Sequence, residues 1–123
     1  MVREAAYRVS LPLNGLAKQI SDRLRSQALC DEWLDRSSIL VSVERKERRI
    51  DVDARPQIRE LVALGEEERA LRWDLRLSTG HGSSVRPHVI MAYLLKDTLD
   101  GQYDGWEGKL RVARTALVLD GER

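Results

Sequence analysis

The stretch ALRWDLRLST (residues 70–79) alternates apolar and charged side chains from Leu71 to Leu77. This period of two residues predicts a β-strand with one buried face and one exposed face. The apolar side chains are Leu71, Trp73, Leu75 and Leu77, and the charged ones are Arg72, Asp74 and Arg76. A fold that contains this strand needs a second layer on its apolar face only, so the charged face can stay open.

Two segments have the spacing of helices that can form this layer. After Asn14, the predicted N-cap, apolar residues recur every four positions at Leu16, Ile20, Leu24 and Ala28. A second predicted helix follows the glycine turn and carries Val89, Ile90, Tyr93 and Leu94 at helical spacing. Between the two, CDEWLDRSS (30–38) has no clean period and is predicted to connect the first helix to a strand.

The remaining apolar segments alternate as strands do. AAYRVSLP (5–12) is the first, and SILVSVER (38–45) and RRIDVDA (48–54) predict a hairpin around the KE pair. QIRELVAL (57–64) fits an edge strand or a short helix, of which we favour the strand, and KLRVARTALVLD (109–120) is the last strand. This order predicts an α+β fold: a ferredoxin-like two-layer sandwich in which a mostly antiparallel sheet of four or five strands has both helices on one face.

The composition limits the function classes that such a fold can serve. A chain of 123 residues with 42% hydrophobic residues fits a single domain over residues 1–123. The formal net charge of +1 gives no overall attraction to nucleic acid or acidic membranes, so a basic site has to be local. With one cysteine, Cys30, and no apolar run as long as a membrane span, we expect a cytoplasmic protein that has no contact with membranes.

The sequence lacks the residue motifs that several kinds of catalysis need. A single cysteine cannot supply the several thiolates that hold an iron–sulfur cluster, and His81 and His88 have no third metal ligand near them. GHGSS (80–84) lacks the lysine and the spacing of a phosphate loop, and no Gly-x-Ser-x-Gly motif occurs. We therefore predict no metal site, no cofactor and no catalysis by this chain alone.

One candidate binding site is the turn before the second helix. Pro87 suits the first turn of a helix, and Ser83 or Ser84 can cap it, so the turn has a purely structural interpretation. Arg86 is not explained by capping, because a guanidinium beside a helix N-terminus opposes the helix dipole unless an anion is present. The predicted anion-binding residues are Gly82, Ser83, Ser84 and Arg86, with Arg114 of the last strand as a second contact.

The open face of the predicted sheet is the other candidate. On this fold the charged residues that share the face are Arg49, Asp51, Arg72, Asp74 and Arg76, with Asp53 beside them. They form either a solvated lattice of ion pairs or a docking surface for a protein or RNA. The chain has no Phe, so base stacking is not expected, but arginine contacts to phosphates remain open.

Three segments together resemble a known family. RKERRIDVDARPQIRELVAL (45–64), GSSVRPHVIMAYL (82–94) and RVARTALVL (111–119) look like the C-terminal half of the radical-SAM-linked protein family. This bacterial group of unknown function is found beside, or fused to, radical-SAM proteins. AAYRVSLPLNGLAKQI (5–20) also fits the strand and helix with which that half begins.

The resemblance implies a function, although not a reaction. It points to an accessory or binding module that works with a radical-SAM partner, and an RNA- or ribosome-associated domain that contacts phosphates through arginines is the alternative. The N-terminal half of the family, with its His-Leu-Asp stretch and Asn-Pro motif, is not in this sequence. Chemistry that depends on those residues is therefore not expected here.

Overall fold

The secondary structure follows the alternation of the sequence closely. A computed structural model describes residues 2–78 and 85–119 of the chain. The strands are β1 (Val2–Pro12), β2 (Leu40–Arg45), β3 (Arg48–Asp53), β4 (Ile58–Glu67), β5 (Ala70–Ser78) and β6 (Arg111–Leu119). The helices are α1 (Lys18–Leu24), α2 (Gln27–Leu34), α3 (Pro87–Leu99) and α4 (Trp106–Lys109), and Arg55–Gln57 is a 3-10 turn before β4.

Four of the strands form one antiparallel sheet in the order β4-β5-β1-β6. With the β2–β3 hairpin set aside, the main elements follow the β-α-β-β-α-β order of a ferredoxin-like sandwich. The predicted α+β fold class is therefore confirmed. From Ile58 onward the segment QIRELVAL is a strand, as favoured, because β4 pairs with β5 along its length.

The core lies on the face of the sheet to which the apolar side chains of β5 point, as predicted. Leu71, Trp73, Leu75 and Leu77 are each at most 2% exposed. Buried residues of α1, α2 and α3, such as Leu24, Trp33 and Leu94, belong to the same apolar cluster. On β5 the charged residues between the buried ones are half-buried or exposed, so the helices cover one face and leave the other open.

The first predicted helix is wrong in its extent. It is two helices, and the chain turns at Ser26, whose Oγ accepts the Ala28 N–H at 3.1 Å as the cap of α2. Asn14 does not cap α1, which begins at Lys18. A helix has 3.6 residues per turn, so a row of residues four apart drifts about 40° at each step and leaves the core face.

The end of that row shows the consequence of the drift. Ala28 is exposed, while Leu29, Cys30 and Trp33 of α2 are buried. Much of the segment predicted as a connection, residues 30–34, is therefore helical.

The β2–β3 hairpin was predicted correctly but belongs to a different sheet. Lys46 and Glu47 form its turn with positive φ angles of 49° and 65°, as a two-residue type I′ turn requires. Val41 and Val43 of β2 are buried in the common core, yet the hairpin pairs with no strand of the main sheet. Alternation indicates which side chains of a strand are buried, but not which strand is its neighbour.

The central role of Trp73 gives a first prediction. Trp73→Ala removes a fully buried side chain, and we expect the free energy of unfolding to fall by about 3–5 kcal/mol because a large cavity remains. Leu64→Ala, at a β4 residue that is 43% exposed, is the control and should change stability by about 0.5 kcal/mol or less. Urea unfolding measures both, and equal effects would contradict the assignment of Trp73 to the core.

Candidate anion-binding site

The structure describes part of the predicted anion-binding turn. Arg86 is an exposed residue at the N-cap position of α3, with φ −66° and ψ 145°, and Pro87 is the first helical residue. The Arg86 side chain makes no capping hydrogen bond. Gly82, Ser83 and Ser84 lie outside the described residues, so the capping interpretation of the two serines stays a prediction.

The start of α3 is held in place by one buried amide side chain. Gln57, only 7% exposed, accepts the Val85 N–H at its Oε1 (2.9 Å) and donates from its Nε2 to the Val85 carbonyl (2.8 Å). The carbonyl of Gln57 also lies 3.4 Å from the Ser78 hydroxyl, which donates to it. Gln57 therefore anchors the residues on both sides of 79–84 and fixes the backbone from which Arg86 projects.

Sequence reasoning missed Gln57. Its segment, QIRELVAL, fits an edge strand or a short helix, and nothing in either local pattern indicates that the glutamine is buried. The pairing also links residues 28 positions apart. Only the three-dimensional structure brings the two segments together.

Arg86 lies across a cleft from the β2–β3 hairpin. The cleft has a volume of about 390 Å³. Its lining residues are Ser42, Val43, Glu44, Arg45, Arg49, Val85, Arg86 and Val89. We call it the arginine cleft, because Arg45 and Arg49 of the hairpin line it together with Arg86 at the start of α3.

The arginine cleft has an excess of positive charge. Three arginines line it, and Glu44 is the one acidic residue among the lining residues that the structure describes. Arg49 Nε donates to Ser42 Oγ at 3.2 Å, and Arg45 donates to the Glu44 carbonyl at 3.5 Å. The Arg86 side chain forms no hydrogen bond or ion pair with any residue that the structure describes, although its backbone carbonyl accepts the Ile90 N–H at 3.1 Å. The first turn of α3, whose N–H groups have no partner within the helix, adds partial positive charge at the same end.

Arg114 does not join this group. It is an exposed residue of the edge strand β6, opposite Tyr7 of β1, and it does not line the arginine cleft. The prediction that Arg114 supplies the second contact is therefore not supported by the geometry. The further arginines beside Arg86 are Arg45 and Arg49, which belong to the hairpin between α2 and β4.

The predicted docking face is divided between two surfaces. Arg72, Asp74 and Arg76 lie on β5, whereas Arg49 and Asp51 lie on β3 in the separate hairpin. The prediction that all five share one face is wrong, because the hairpin does not extend the main sheet.

The β5 charges have partners of opposite sign within the described residues. Arg8 Nε donates to Asp74 Oδ1 at 2.6 Å, Arg76 Nε lies 3.7 Å from Glu4, and Arg72 lies 3.2 Å from Glu68. Exposed pairs of this kind contribute about 0–1 kcal/mol each. This arrangement favours the ion-pair lattice over a docking surface on the open face.

The described residues offer little for catalysis by a thiol or a metal. Burial raises the pKa of the Cys30 thiol to about 11, so it is protonated at neutral pH and a poor nucleophile. Across residues 2–78 and 85–119, no three His, Cys, Asp or Glu side chains are grouped so that they could bind a metal ion. No helix in that part of the chain is both long and apolar enough to cross a bilayer.

Comparison with known proteins gives no match: no protein-family model, no curated protein and no solved structure is similar to this chain. The resemblance to radical-SAM-linked proteins therefore stays a prediction.

The anchoring role of Gln57 gives a second prediction. Gln57→Ala leaves the Val85 N–H and carbonyl without their partners, and we expect a loss of about 1–3 kcal/mol in unfolding free energy. Hydrogen exchange of the Val85 amide should also become faster. Gln19→Ala, at an exposed position of α1, is the control. Unchanged protection of Val85 in the Gln57 variant would show that the start of α3 does not depend on this side chain.

Proposed function

We propose that this chain is a binding module without catalysis of its own, and that the arginine cleft receives an anionic group of its partner. The observation that carries the proposal is Arg86, an arginine at the start of α3 that has no carboxylate partner among the described residues and faces two further arginines. The favoured partner is a radical-SAM protein in the cytoplasm, with RNA as the second candidate.

The physical argument rests on charge. Guanidinium groups that converge on one cleft repel each other, and Arg86 additionally opposes the dipole of α3. A carboxylate or phosphate relieves both effects and can form paired hydrogen bonds with the planar guanidinium. Glu44 offsets one positive charge of the cleft, and the Arg86 side chain has no partner among the described residues, so a further anion beside Arg86 is still favourable.

A protein partner is favoured over nucleic acid by the rest of the surface. The net charge is only +1, and the ion-pair lattice on the open face interleaves acids with arginines. Strong nonspecific binding to nucleic acid requires several uncompensated phosphate contacts. A single anion on a protein, such as a carboxylate side chain, can bind in the arginine cleft without further basic surface. The family resemblance points to a radical-SAM protein as that partner.

One observation keeps RNA as the second candidate. The tip of the hairpin adds Lys46 and Arg48 beside Arg45 and Arg49, and both are exposed. Together with Arg86 they form a basic end of the molecule that can contact successive phosphates. Binding of that kind weakens steeply with added salt.

The third prediction separates these partners. Affinity capture from cells of the native organism should recover a radical-SAM protein, identified by mass spectrometry, with the unmodified chain. Arg49→Gln combined with Arg86→Gln should lose it, because the cleft keeps one guanidinium of three. Arg36→Gln combined with Arg59→Gln, two exposed arginines outside the cleft, is the matched control and should retain it.

The other outcomes are also informative. Recovery of RNA that is lost in the cleft variant and in high salt would replace the protein partner with the second candidate. If the cleft variant keeps every partner of the unmodified chain while its melting temperature is unchanged, the arginine cleft is not the binding site.

A further inference from the structure

The two edge strands of the main sheet differ in whether a side chain hydrogen-bonds to their outer backbone groups. β4 and β6 are the outer strands, and each has one side without a strand neighbour. On the outer side of β4, Gln27 of α2 accepts the Ala63 N–H at its Oε1 (2.7 Å) and donates from its Nε2 to the Leu61 carbonyl (3.1 Å). Asp31 accepts a further hydrogen bond from the same Nε2 at 3.0 Å and orients the amide. Gln27 thus occupies the edge of β4 as a neighbouring strand would.

No side chain of residues 2–78 or 85–119 covers the outer edge of β6 in this way. Within the described part of the chain, no side chain donates to or accepts from the backbone of β6, a strand of nine residues. Its residues 113–116 are all exposed. A row of unpaired N–H and carbonyl groups on an edge strand is a template for another strand.

The charge of β6 indicates what kind of strand fits there. The strand carries Arg111 and Arg114 and no acidic residue. Arg111 donates to the Gly108 carbonyl at 2.7 Å, and the Arg114 side chain has no hydrogen bond or ion pair with a described residue. A second copy of β6 would bring arginines to both sides of the seam without an acid to pair with them, which is unfavourable across a sheet.

We propose that the outer edge of β6 is a strand-addition site for an extended, acidic peptide segment of a partner protein. The ladder between β1 and β6 is regular from Arg111 to Arg114 and is interrupted at Thr115, where a bulge separates the Tyr7–Arg114 and Ala6–Ala116 pairs. The added segment pairs with Arg111–Arg114, the straight part of the strand that carries both arginines. Main-chain hydrogen bonds supply the affinity and the acidic side chains supply the selectivity.

The site does not depend on the arginine cleft. β6 contributes none of the lining residues of that cleft, so each can fail without the other.

A peptide titration monitored by NMR tests the proposal. The probe is a heptapeptide of alternating Val and Glu, and the two controls are the same peptide with Lys in place of Glu and with a central Pro, which cannot complete a ladder. In the full-length protein, the Val–Glu peptide should shift the amide signals of Arg111–Arg114 and slow the hydrogen exchange of those amides in this stretch that point away from β1. Neither control peptide should do so.

Variants distinguish the β6 edge from other surfaces. Arg114→Glu should weaken binding of the Val–Glu peptide by about three- to tenfold, since it replaces an attractive cross-strand pair with a repulsive one. Arg59→Glu, at an exposed residue of β4, should leave the affinity unchanged. The proposal is overturned if the peptide shifts only the arginine cleft or β4, if it shifts nothing at millimolar concentration, or if the chain dimerises through β6 on its own.

Discussion

The apolar face of β5 is the constraint on which the rest of the structure depends. Trp73 and its leucine neighbours are fully buried, and the residues between them are charged, so the strand can be covered on one side only. β1 and β4 pair with its two edges, and the helices cover the apolar side. The Trp73 Nε1 has no hydrogen-bond partner among the described residues. Its contribution to stability therefore comes from volume and apolar contact, which outweigh an unsatisfied donor.

The arginine cleft depends on a short segment that joins its two walls. Asp53 Oδ1 accepts the N–H groups of Ile39 (2.8 Å) and Arg55 (3.0 Å), which closes the base of the hairpin. Gln57, four residues after Asp53, holds Val85 and so the start of α3. Residues 53–57 thus fix the hairpin and the helix relative to each other. The guanidinium groups of Arg49 and Arg86 project from these two walls.

How much the sequence could predict varies from element to element. Alternation located β5, the hairpin and its KE turn, because period two and turn chemistry are local properties. The break at Ser26 was missed because a spacing of four residues resembles one helical face over a short distance. Three features depend on residues that are far apart in the sequence, and local patterns do not predict them. They are the pairing of the hairpin in its own sheet, the hydrogen bonds between Gln57 and Val85, and the presence of Arg49 and Arg86 in one cleft. Arg49 and Arg86 were both singled out, but for different sites, since no local pattern indicates that they share one.

The most direct test of the arginine cleft is an NMR titration of the isotope-labelled chain with inorganic phosphate, against chloride at equal ionic strength. We expect saturable shifts of the backbone amides of Val85, Arg86, His88 and Val89 and of the side-chain Nε–H groups of Arg49 and Arg86. Arg76 and Arg114, on the sheet, should not respond. Shifts confined to those two arginines, or no saturable shift at Val85–Val89, would contradict the claim that the hairpin and the start of α3 form an anion-binding site.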